Sequence, residues 1–125
     1  MESMLKMFAF LLLCCLCSGE AGGAASCPLS SIVVTQSGTG GWAHGQPVYA
    51  VAVRNTCSCA QSDVRVACGG FVTTLAVDPS KLMPIGGGLC LVNGGGALVR
   101  GRDVTFSYAS EKQFGFGPVS STVAC

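Results

Sequence analysis

The sequence predicts an all-β fold: a small, disulfide-bridged antiparallel β-sandwich behind a cleaved signal peptide. Three observations carry that expectation. The regular apolar patterns have period two, which sends alternate side chains to opposite faces of a strand. Glycine-rich or polar segments separate those runs, and glycine supplies the positive φ values that tight turns need. Six cysteines follow residue 25, an even number that reads as three bridges in a small secreted chain.

The elements follow in chain order. Residues 1–6 are a short polar start carrying Lys6, Met7 to Cys17 is an unbroken apolar run, and residues 18–25 are small and weakly polar. That order is the order of a secretory signal peptide, with cleavage points that fit between residues 19 and 25. The apolar run falls short of the roughly 20 residues a membrane-spanning helix needs. The expectation is therefore a secreted, extracellular (apoplastic) domain over residues 26–125, with no membrane association after cleavage.

Ile32 to Gln36 opens the domain as a β-branched run. Tyr49, Val51 and Val53 then share one face, with Ala50, Ala52 and Arg54 opposite. Val64, Val66 and Cys68 share the next, against Asp63, Arg65 and Ala67. Phe71 to Val77 reads as a further strand. Asp78-Pro79-Ser80-Lys81-Leu82 is the one helix signal, with Asp78 as cap and Pro79 in the first position, limited by Pro84 to about one turn. Val104, Phe106 and Tyr108 alternate with Asp103, Thr105 and Ser107, and Val119, Ser121, Val123 and Cys125 share the last face. Segments 37–47, 56–62, 86–88, 94–96 and 111–118 read as turns and loops. Several short strands so separated point to two packed sheets.

Cys27, Cys57, Cys59, Cys68, Cys90 and Cys125 are the six bridge-forming candidates. They allow 15 connectivities, and the spacing selects none. A bridge between Cys57 and Cys59 is strained by the single intervening residue, so each is expected to pair outward. No C-x-x-C pair is present and His44 is the lone histidine, which leaves a zinc site without its ligand spacing. No metal or other cofactor is expected.

Charge excludes several classes. Six basic residues after residue 25 face four acidic ones, too even a balance for a nucleic-acid footprint. Catalysis finds no set of groups. There is no G-x-S-x-G around a serine, and His44 lies in the glycine-rich stretch 37–47. Of the carboxylates Asp63, Asp78, Asp103 and Glu111, Asp78 is better used as a cap and Asp103 sits in a turn. The sequence therefore reads as that of a non-enzyme.

Four residues stand out as partner or glycan contacts. Trp42, with His44 and Tyr49 nearby, makes either an aromatic platform for a sugar ring or protein partner, or a ring folded over the sandwich edge. Arg100 and Arg102 either gather with Lys112 on one end to meet an acidic partner or are scattered surface charge. Asn55-Thr56-Cys57 is the rare cysteine-type variant of a glycosylation sequon, and the standard N-x-[ST] form is absent.

These fragments also carry a resemblance. Ser31-Ile-Val-Val-Thr-Gln36, Pro47 to Cys57, Asp63-Val-Arg-Val-Ala-Cys-Gly69 with Phe71, Cys90-Leu-Val-Asn93, Phe106-Ser-Tyr-Ala109 and the run Val119 to Cys125 resemble, in order, the segments of the plant tapetum determinant family. The resemblance covers almost all of residues 26–125, with all six cysteines in place. It implies a small secreted plant protein that acts as a ligand for the ectodomain of a leucine-rich-repeat receptor kinase fixing cell identity in the anther. A fainter similarity, in the β-branched strands, is to a cellulose-binding module of plant endoglucanases, implying a cell-wall polysaccharide partner. The chain departs from the family pattern at Gly70, where the family has Trp, in the short Cys57-Ser58-Cys59 spacing, and at 94–101, where the family commonly has Lys-Pro. No two basic residues are adjacent, so dibasic processing is not visible.

Overall fold

In the computed structural model the described residues are 26–125; the signal-peptide reading concerns residues outside them. Seven strands build the domain: β1 (Ile32–Ala43), β2 (Gln46–Asn55), β3 (Ala60–Ala67), β4 (Leu82–Gly86), β5 (Leu89–Val92), β6 (Val104–Ala109) and β7 (Pro118–Ala124). They form a three-stranded sheet in the order β1-β2-β6 and a four-stranded sheet in the order β4-β5-β3-β7. Every ladder is antiparallel. The expected sandwich is the observed architecture.

The predicted alternation sets which side chains enter the core. Val51 and Val53 of β2, Val64 and Val66 of β3, and Phe106 and Tyr108 of β6 are buried between the layers, joined by Leu82, Val92, Leu98 and Phe116. One break in the alternation matters. A bulge between Ser62 and Arg65, with Asp63 at φ 50°, shifts the ladder between β3 and β7. The extra residue lets Gln61 and Val64 both lie in the interior although they are three apart.

Phe71 organises one end of the core. Its ring lies edge-on to Tyr108, Phe114 and Phe116, with centroids 5.3, 5.4 and 5.2 Å away. Such edge-to-face pairs add about 0.5–1.5 kcal/mol each beyond the area they bury. The Tyr108 hydroxyl donates to Gln36 Oε1 at 2.6 Å and accepts from the Phe114 amide at 2.9 Å. Gln36 Nε2 in turn donates to the Phe114 carbonyl. Those bonds fasten the 110–117 connection over the open edge of the aromatic cluster. Burial pushes the Tyr108 phenol above its ordinary pKa, and the Phe114 amide opposes that shift.

Three expectations about elements change. Segment 71–77 is an extended connection without a strand ladder. Thr73 Oγ1 accepts from the amides of Leu75 and Ala109, so a side chain takes the place of a backbone partner along the β6 edge. Residues 37–43, read as a loop, continue β1, because the hairpin holds them to β2 past a register shift between Gly38 and Trp42. The pair β4–β5 was not anticipated: Pro84 lies inside β4, and proline in a strand is confined to edges such as this one. The Asp78 signal does make a single closed turn, with the amides of Lys81 and Leu82 donating to the Asp78 carbonyl. Ser80 gives its amide and hydroxyl to Asp78 Oδ1, which holds that carboxyl below its ordinary pKa.

Candidate functional site

The four residues singled out for contact fall at two ends of the molecule. Strand β2 runs from the Trp42 hairpin at one end to Arg54 at the other, and β6 runs back from Asp103. Trp42 and Tyr49 belong to the first end, Arg100 and Arg102 to the second.

At the first end the chain reverses through His44 and Gly45, whose φ values are 50° and 78°. Two consecutive positive φ values match the twist of a tight antiparallel hairpin. The hairpin presents Trp42, which is 70% exposed. Its side chain makes no hydrogen bond or ring contact among the described residues. Tyr49 is half-buried, with its ring 5.3 Å from that of Tyr108. The two aromatics therefore do not stack into one platform. Val72, 66% exposed, lies at the same end, where Thr74 Oγ1 reaches the Ala43 carbonyl. Sequence periodicity could not single out Val72, because it sits in a connection.

At the second end a tight turn, closed by the Arg102 amide on the Val99 carbonyl at 3.2 Å, exposes Arg100 and Arg102 around Gly101. Neither arginine has a carboxylate partner within the described residues, whereas Arg54 pairs with Asp103 at 3.1 Å. Lys112 is at the other end, its ammonium 5.6 Å from the Phe114 ring centre, so the three cations do not gather.

Below the arginine turn lies a buried amide pair. Gln61 Nε2 donates to Asn55 Oδ1 and to Ser31 Oγ, both at 2.9 Å, while Ser121 Oγ donates to Gln61 Oε1. Asn55 Nδ2 donates to the carbonyls of Cys59 and Leu98, and Asn55 Oδ1 accepts the Cys57 amide. Gln61 and Leu98 also exchange both backbone hydrogen bonds. Two side-chain amides thus hold the arginine turn, the cysteine loop, β7 and the start of β1 in one arrangement. Sequence reading missed this clamp, since nothing in periodicity marks a polar side chain as interior. Asn55 is 1% exposed, so the variant sequon offers no accessible acceptor in the folded domain.

The bridges are Cys27–Cys57, Cys59–Cys125 and Cys68–Cys90. Cys57 and Cys59 pair with separate partners, and the first two bridges sit side by side at the clamped end. The third ties β3's end to β5.

The groups considered for catalysis are dispersed. His44 is an exposed turn residue. Asp63 pairs with Arg65 at 3.4 Å, Asp103 with Arg54, and Asp78 with Ser80. A shallow depression of about 450 Å³ on the outer face of the three-stranded sheet is lined by Thr35, Ser37, Ala50, Ala52, Thr105 and Ser107, none of them titratable. No helix of the described residues is long and apolar enough to cross a membrane.

Comparison with known proteins gives the family. Residues 28–125 match the family model described as tapetum determinant 1, C-terminal. A rice (Oryza sativa subsp. japonica) protein named TPD1 protein homolog 1B is 37% identical over 101 residues, covering 80% of this chain and 59% of its own length. The Arabidopsis thaliana TPD1 protein homolog 1 is 31% identical over 102 residues, 79% of this chain and 55% of its own. The rice TPD1 protein homolog 1A is 35% identical over 74 residues, 53% of this chain and 33% of its own. The chain thus matches less than two thirds of the length of these relatives. No solved structure matches it. With the cysteine frame, the strand pattern and the match over residues 28–125 in agreement, the chain belongs to the tapetum determinant 1 family.

Proposed function

We propose that this protein is a secreted, non-catalytic signalling ligand that binds the ectodomain of a leucine-rich-repeat receptor kinase, in the setting of plant reproductive cell fate. The observation that carries the reading is the family match across residues 28–125. A compact bridged sandwich suits the concave surface of such a solenoid. The Trp42 hairpin is the contact we assign to the receptor. An exposed indole on a two-strand mount offers a large apolar area at little conformational cost, which is the usual make-up of a binding hot spot. Arg100 and Arg102 are assigned to the acidic rim of the same partner, where charge tunes encounter rate.

The test is a titration of the oxidised domain, residues 26–125, against ectodomains of anther-expressed leucine-rich-repeat receptor kinases, with a reduced sample as control. Saturable binding that reduction abolishes supports the reading. Absence of binding by the fully bridged protein to every such ectodomain overturns it.

A second reading, retention on a cell-wall polysaccharide, draws on the same exposed indole. Pull-down by cellulose or xylan that disappears in Trp42→Ala supports it. Retention unchanged by that substitution removes Trp42 from the role.

A further inference from the structure

The sulfur atoms of Cys27, Cys57 and Cys59 all lie within 4.8 Å of one another. Cys27 and Cys57 are already bonded to each other, and Cys59 is bonded to Cys125. The two cystines are therefore neighbours, with the Cys59 sulfur within 4.8 Å of both sulfurs of the other bridge. Their exposure differs. Cys125, just beyond the end of β7, is exposed, while Cys27, Cys57 and Cys59 are half-buried. The remaining bridge is shut away, with Cys90 at 0% and Cys68 at 8% exposure.

We propose that the paired cystines form a thiol–disulfide exchange site for a small thiol such as glutathione, with Cys125 as the point of entry and Cys59 as the relay. The glutathione thiolate attacks Cys125 Sγ, the sulfur of the one exposed residue among these four cysteines. A mixed disulfide forms at Cys125, the Cys59–Cys125 bond breaks, and Cys59 leaves as a thiolate. That thiolate attacks Cys27 Sγ. A Cys27–Cys59 bridge forms, the Cys27–Cys57 bond breaks, and Cys57 leaves as a thiolate that takes a proton from water. Two disulfide bonds and one thiol exist before and after, so no net oxidant or reductant is consumed. Attack on Cys57 instead would give the strained bridge between neighbours one residue apart.

The hydrogen bonds that shape the cysteine loop do not involve its sulfurs. Asn55 holds the Cys57 amide and the Cys59 carbonyl, so the cysteine loop keeps its path whichever side chains are bonded. What changes is the tether: β7 loses its covalent link to the start of β3, beside which Ala124 pairs with Ala60. The exchange site thus exposes the C-terminal strand to control by extracellular thiols.

The full secreted protein, treated with graded glutathione, quenched with a maleimide and mapped by peptide mass spectrometry, tests this. The expected products are a glutathione adduct on Cys125, maleimide on Cys57, a Cys27–Cys59 cross-link and an intact Cys68–Cys90 bridge. Maleimide on Cys59 with Cys27–Cys57 retained would overturn the relay, as would loss of Cys68–Cys90 at the same glutathione concentration. A Cys125→Ser variant offers a second measurement where it is secreted. Its maleimide is expected to divide between Cys57 and Cys59 and never to reach Cys27; label on Cys59 alone contradicts the proposal.

Discussion

Gln61 donates its side-chain amide to Oδ1 of Asn55 at 2.9 Å, inside a sandwich whose other interior positions are mostly apolar. Asn55 has every donor and acceptor position of its side chain engaged. Truncation to alanine would leave the Cys57 amide and one Gln61 donor bond unmade in the interior. Asn55→Ala is expected to lose about 2–3 kcal/mol of folding free energy, the cost of orphaned buried polar groups. Urea unfolding of the oxidised domain measures it; a loss near zero would show that water replaces the amide.

Tyr108 is expected to weaken the fold on the alkaline side. Its phenol has a folded pKa raised above the ordinary 10.0, mainly by burial. The folded state therefore favours the protonated form. The contribution is fully present below about pH 10 and is lost as pH rises through the folded value. Unfolding midpoints measured from pH 8 to 11 are expected to fall on the alkaline side. Tyr108→Phe should flatten that fall while lowering stability by about 1–3 kcal/mol at neutral pH, since the Phe114 amide loses its acceptor.

Asp78 acts on the acid side with the opposite sign. Its folded pKa is lowered by the Ser80 amide and hydroxyl. The contribution is present above the unfolded value near 3.8 and disappears as pH falls through the folded one. Asp78→Asn is expected to reduce the pH dependence of the unfolding midpoint between pH 5 and 2, as read by circular dichroism.

The buried Cys68–Cys90 bridge closes the shortest loop of the three, 22 residues apart in sequence, and its loss is still expected to be costly. Replacing Cys68 and Cys90 together by serine should cost about 2–5 kcal/mol. Secretion yield and thermal unfolding of the double variant check this. A variant as stable as the parent would show that packing around Cys90 alone holds β5 to β3.

Much of this fold was legible because burial in a sandwich imposes period two. Val51 and Val53, Val64 and Val66, and Phe106 and Tyr108 each share a face in the alternation, and those faces are the ones buried. The bulge at Asp63 was not legible, since its only trace is one extra polar residue between Gln61 and Val64. Strand β4 was masked by Pro84, which argues against a central strand and is silent about an edge. Segment 71–77 has strand-like composition, yet it meets the β6 edge only at Ala109, through the Thr73 hydroxyl and the Thr74 amide. Connectivity could not be read either: Cys59 meets Cys125 because β3 pairs with β7, a long-range fact that cysteine spacing does not contain. At the candidate site, Trp42 was visible as an unusual residue, whereas its separation from Arg100 and Arg102 needed the direction of β2.

The most direct measurement is calorimetric titration of oxidised wild-type and Trp42→Ala domains into the ectodomain of the proposed leucine-rich-repeat receptor kinase, with unfolding curves for both. The substitution is expected to shift stability by less than about 0.5 kcal/mol, because Trp42 touches little of its own chain. Binding is expected to weaken at least ~30-fold, the loss of about 2 kcal/mol typical of a hot-spot tryptophan. Equal affinity of the two domains, with both fully folded, would contradict the assignment of the Trp42 hairpin as the receptor contact.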